Sequence, residues 1–145
     1  MHEAIIVRAA EIVAGKCNNA GYCTLAQIDA DGYPTAATIS VSRADGIKWV
    51  AFCTGLGSNW VSRAEKCGRA SLCFNSDSPL YNITLVGSIE VLTDLASKKE
   101  MWYDGMGYYF SGPDDPAFCV LKFTTRRYSL MFNEEEGSAR GTLAE

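Results

Sequence analysis

Alternation of apolar and polar positions is the strongest pattern in this chain. Over Tyr81–Thr93, Tyr81, Ile83, Leu85, Gly87, Ile89 and Val91 share one face, and Asn82, Thr84, Val86, Ser88, Glu90 and Leu92 share the other. A period of two over that length predicts a long β-strand, and the glycine at its centre predicts a bend that lets it serve both halves of a barrel. Shorter runs with strand character cover Tyr22–Ile28, Thr35–Val41, Ile47–Thr54, Ala70–Asn75, Phe118–Thr124 and Tyr128–Asn133. Turn sequences DADG at 29–32 and RADG at 43–46 join the first three into an antiparallel meander, and Pro34 is confined to the start of its strand.

Helical spacing is restricted to three stretches. In Ala4–Ala14, residues Ile5, Ile6, Ala9, Ile12 and Val13 fall on one face, and Gly15 supplies a stop. A second helix starts near Asn59 or Trp60, with Ser58 or Asn59 as N-cap, and stacks Trp60, Ala64 and Cys67 until Gly68 closes it. Asp94 can cap a third, running through about Tyr103. The tail from Glu134 to Glu145 is polar and is expected to be loose. These elements predict a mainly β fold with short helices: a six- to seven-stranded antiparallel split β-barrel, closed so that few edges are exposed. Residues 1–133 form the expected single domain and 134–145 the tail. A sandwich is the alternative; a doubly wound parallel sheet is disfavoured because helices do not alternate with strands.

Composition narrows the function classes. The chain has 145 residues, 48% hydrophobic and 21% charged, which suits one globular core. A net charge of −4 without a long basic run argues against nucleic acid as a partner. No apolar run reaches membrane-spanning length, and Glu3, Arg8 and Glu11 interrupt the N-terminal stretch, so a cytoplasmic address without signal or anchor is expected. The six cysteines, at 17, 23, 53, 67, 73 and 119, form no CxxC pair, and the one histidine is His2. No metal site is expected; reduced thiols are, most of them buried in apolar strands.

Candidate chemistry concentrates in Trp49–Phe74, which reads as strand, loop TGLGSN, helix and strand. Loop N–H groups and the positive end of a helix make this a candidate anion site; a simple glycine-permitted turn is the other reading.

The run FCTGLGSNW, preceded by DADGYPTAATISVSRADGIKWV, resembles the pyridoxamine 5′-phosphate oxidase-like FMN-binding split barrels, and most closely their small general-stress-protein branch. YNITLVGSIEV and MWYDGMGYYFSGPDDPAFCVLKFTT extend the likeness to roughly Ala4–Phe132. The resemblance implies a homodimer with FMN at its interface. It carries cofactor contacts onto Ala37, Thr38, Ile39 and Ser40 in the second strand, Cys53 and Thr54 at the end of the third, and Ser58, Asn59 and Trp60 at the helix start. Members of the family that oxidise pyridoxamine phosphate place S-R-K where this chain has Ser58-Asn59-Trp60, and an arginine where it has Ala37. Arg63, one turn further along, is a candidate substitute for the missing cation, since its side chain leans toward the helix N-terminus. Trp60 either stacks on a flavin ring or packs in the core or an interface.

The resemblance implies a flavin-dependent oxidoreductase of unspecified substrate. Pyridoxamine phosphate oxidation itself is not expected, because TTRRYSLMFN lacks an R-x-H segment. The alternative is a non-catalytic homodimer that stores or senses flavin, or binds another small ligand, at an altered phosphate site. A haem-handling relative is a third reading, disfavoured by the lack of an internal histidine. No residue stands out as catalytic.

Overall fold

The structure is a computed structural model and describes residues 2–143. Eight strands form one antiparallel sheet among them: β1 (Tyr22–Ile28), β2 (Pro34–Ser40), β3 (Arg43–Asp45), β4 (Trp49–Gly55), β5 (Arg69–Asp77), β6 (Leu80–Leu92), β7 (Phe118–Phe132) and β8 (Ser138–Thr142). Their order is β2-β1-β5-β6-β7-β4-β3, with β8 paired to β7. Only Val41 and Ser42 separate β2 from β3, so the path returns to its own beginning and the sheet closes as a barrel. The Ser42 N–H donates to Ala51 O at 2.9 Å at that closure.

β6 and β7 are the long strands that make closure possible. β6 pairs with β5 through Leu80–Ser88 and with β7 over nearly its whole length. The register slips between Val86 and Gly87: Val86 faces Arg127 and Gly87 faces Thr125, leaving Arg126 as the extra residue of a bulge. A Cβ on Gly87 would lie 2.0 Å from Thr124 O, so only glycine permits this approach. Phe118–Thr124 and Tyr128–Asn133, expected as two strands, are therefore one strand of 15 residues. Its first half pairs with β4 and its second with β8. The bulge breaks the period of two, which is why the sequence reads as two pieces.

Alternation sends Leu25, Phe52, Leu72, Phe74, Ile83, Leu85, Leu121 and Phe123 into the barrel, where each is fully buried. Each such side chain contributes about 1.5–3 kcal/mol of transfer free energy. Helix α1 (His2–Ala14) adds Ala9 and Val13 to this core, with Ile5, Ile6 and Ile12 packed at its margin. Outside the barrel wall a smaller cluster forms where α3 (Leu95–Met101) and the following 3-10 turn (Asp104–Tyr108) cover β4 and β7. It comprises Ala51, Met101, Met106, Phe118 and Val120. Trp102 meets Phe118 edge-on at 5.1 Å.

Three local expectations are corrected. RADG is not all turn: Arg43–Asp45 is β3, paired with Trp49–Ala51, and the chain reverses only over Gly46–Lys48. The third helix stops at Met101, short of Tyr103. The polar tail is not wholly loose, since Ser138–Thr142 joins β7 and buries Ala139. One apolar residue in that strand is too little for a periodic signal. All six cysteines are free thiols, Cys23 and Cys119 buried and the other four half-buried.

Candidate functional site

No ladder joins β2 to the end of β4 beyond the Ser42–Ala51 bond. There β4 runs out at Gly55, and a three-residue loop leads into α2 (Asn59–Lys66). The helix starts here because Ser58, in extended conformation, turns its side chain back to accept from the Val61 N–H at 3.4 Å. Thr54 Oγ1 lies 3.2 Å from Ser58 Oγ, so both hydroxyls face one corner. Gly57 borders open space: a Cβ there would meet no atom within 4 Å. The N–H groups of a helix's first turn have no partner within the helix. Thr54, Ser58, Asn59 and Trp60 thus bring hydroxyl and N–H donors together at the positive end of α2.

Asn59 is exposed, whereas Trp60 is half-buried and packs against the barrel core. The Arg63 guanidinium lies 5.7 Å from the Trp60 ring centroid, a cation–π arrangement that places this cation on the tryptophan face. Trp60 O accepts from Gln27 Nε2 at 3.0 Å, tying α2 to β1. Gln27 is 2% exposed, and its Oε1 has no partner within the protein.

β2 carries the other group of expected contacts. Ala36, Ala37 and Thr38 are exposed, Ile39 is buried and Ser40 half-buried. Among the described residues, no hydrogen bond links Ala37–Ser40 to the Thr54–Ser58 corner. Cys53 has its side chain committed elsewhere: Sγ donates to Met101 O at 3.0 Å, as does the Ser42 hydroxyl. Burial pushes the Cys53 thiol up to about 11, while the Ser42 hydrogen bond and the Arg43 charge act against that rise.

Arg43 is absent from the contacts expected on sequence grounds, yet it stands beside this site. It is half-buried between β3 and α3, donating to Ser42 O at 3.0 Å, Trp102 O at 3.3 Å and the Asn18 side chain. It provides a fixed positive charge beside Cys53. Its place in a turn-like RADG sequence conceals it. Among the described residues no group of three or more His, Cys, Asp or Glu is placed to hold a metal, and no helix is long and apolar enough to cross a membrane.

Comparison with known proteins bears on this arrangement. No curated protein matches the chain. Solved structures do. One is a Clostridium acetobutylicum protein related to general stress protein 26 of B. subtilis, of the pyridoxinephosphate oxidase family. It is 26% identical, with a TM-score of 0.80 over 97% of this chain and 96% of the other. A second is a pyridoxamine 5′-phosphate oxidase-related, FMN-binding protein from Nostoc punctiforme, 14% identical, with a TM-score of 0.64 over 99% and 95%. A third is a haem-binding protein from Mycobacterium smegmatis, 19% identical, with a TM-score of 0.72 over 94% of this chain and 57% of that one. The family model of pyridoxamine 5′-phosphate oxidase matches residues 10–132, from α1 to the end of β7. This chain belongs to the pyridoxamine 5′-phosphate oxidase family.

Proposed function

We propose that the protein binds FMN as a homodimer and acts as a flavin-dependent oxidoreductase. The observation that carries this reading is the Thr54–Ser58 corner at the start of α2, in a chain of this family. Phosphate oxygens fit there through the two hydroxyls and the N–H groups of Asn59 and Trp60. The isoalloxazine edge would lie along the backbone of Ala37, Thr38, Ile39 and Ser40, with Cys53 contributing main-chain atoms. Exposure of Ala36, Ala37 and Thr38 on an edge strand leaves room for both a ring and a second copy. FMN, when bound, supplies the electron or hydride transfer. The chain's own residues position it and keep water from one of its faces. Oxidation of pyridoxamine phosphate itself is not proposed, given the missing R-x-H segment.

A second reading is favoured by one observation: the phosphate corner has neutral Asn59 and Trp60, and Arg63 rests on Trp60. A site with weaker charge suits storage or sensing of flavin without turnover. The experiment is size-exclusion chromatography with light scattering in the presence of excess FMN. The homodimer is expected to elute with flavin absorbance at twice the 15.8 kDa chain mass. A colourless monomer would sink both readings. Retained flavin without NAD(P)H-dependent turnover on common acceptors would select the second.

A further inference from the structure

The barrel's register assembles a basic groove away from the Thr54–Ser58 corner. Arg69 on β5 faces Ser88 on β6, Ser88 faces Thr124 on β7, and Thr124 faces Trp49 on β4. These four residues form one row across four strands, about 14 Å long at ordinary strand spacing. A second row alongside it runs Ala26, Ser71, Val86 and Arg127. The bulge residue Arg126 enters between the rows, and Lys48 precedes Trp49 at one end. Together they line a groove of about 1200 Å³ on the outer face of the sheet.

Charge in this groove is one-sided. Four of the chain's 13 lysines and arginines line it, namely Lys48, Arg69, Arg126 and Arg127, and among the described residues no Asp or Glu does. All four are exposed. The ion pair found among the described residues, Arg8 with Glu136 at 3.7 Å, lies elsewhere. The one carboxylate the register places next to this row is that of Asp45, opposite Trp49 on β3. The four cations repel one another, and low-dielectric walls focus their field into the groove. Hydroxyls of Ser71, Ser88 and Thr124 lie between the charged ends and can donate to oxyanions. These four cations belong to a chain whose net charge is −4.

We propose that the groove is a binding site for a small polyanion, of the class of phosphate esters or pyrophosphates carrying two or more negative charges. A long polyanion such as nucleic acid fits less well, because its strand would continue beyond the groove over an acidic protein. The site is separate from the candidate flavin corner: Thr54 lies five residues beyond Trp49 along β4, about 17 Å of strand. The proposal does not depend on flavin binding.

Isothermal titration calorimetry of the full chain with inorganic pyrophosphate in low salt tests it. Saturable binding at one site per chain is expected, unchanged by saturating FMN. Arg69→Gln and Arg127→Gln each remove one charge-assisted contact and should each weaken binding about tenfold. Arg8→Gln makes the same change in net charge outside the groove and should leave affinity unaltered. Because these side chains are exposed, far-UV circular dichroism of each variant should match the parent. Four results would overturn the proposal: no saturable binding; equal weakening by Arg8→Gln; loss of binding on FMN saturation; or a single-stranded oligonucleotide binding more tightly than pyrophosphate.

Discussion

Asn59 occupies the first position of α2, exposed, beside two hydroxyls and the unpaired N–H groups of the helix start. A positive side chain at this place would complement a phosphate, and Asn59 provides none. Asn59→Arg is therefore expected to tighten FMN about tenfold, the scale of one charge-assisted hydrogen bond. Flavin fluorescence titration checks this; an unchanged affinity would mean that the phosphate does not sit at α2. Trp60 is a poorer place for the same test, because it packs against the core and holds Arg63. Thiols offer a second residue-scale prediction. Burial raises Cys23 to about 12 and Cys53 and Cys119 to about 11, whereas an unfolded thiol ionises near ~8.5. Between those values the unfolded chain has released protons that the native chain retains. The contribution is thus fully present below about pH 8.5 and is lost as pH rises toward 11–12. Urea midpoints in reducing buffer should fall from about pH 8 to about pH 10.5; a flat profile would contradict this burial.

At the scale of elements, Gly87 governs the most. It is the position where β6 and β7 approach too closely for a Cβ, and it coincides with the bulge that bends both strands. Gly87→Ala is expected to destabilise by about 1–3 kcal/mol or more, since the atom it meets is backbone and cannot swing aside. Thermal or urea unfolding measures it, and a neutral result would show that the bulge yields more easily than this contact implies. The same strand shows what sequence can reveal. β6 is legible because Tyr81, Ile83, Leu85, Ile89 and Val91 recur at every second position on one face, interrupted only by Gly87. α2 is legible because a serine cap precedes it and Gly68 follows. β7 reads as two strands because the bulge at Thr125–Arg127 interrupts its period. β3 is hidden inside a turn sequence, and Arg43 with it. β8 is hidden because Ala139 is its one buried apolar side chain. The glycine loop of the candidate site can be read locally. The basic groove cannot, because Lys48, Arg69 and the Arg126–Arg127 pair lie on separate segments that only the register unites.

For the whole molecule, closure through Val41–Ser42 puts two surfaces on one barrel. One is the neutral corner at the start of α2, the other the basic groove across β5, β6, β7 and β4. Flavin binding at the first would make β2 and its surroundings an interface, so affinity and dimerisation should be linked. Diluting the protein below its dimer dissociation constant is then expected to release FMN, read as recovered flavin fluorescence; retention by the monomer would place the whole site within one chain. The central claim, that this barrel holds FMN at the Thr54–Ser58 corner, is tested most directly by titrating FMN with the native protein and with Thr54→Val. Saturable quenching by the native protein, weakened several-fold in the variant through loss of one hydroxyl, is the predicted result. No quenching at tens of micromolar protein, or equal quenching by both, would contradict it.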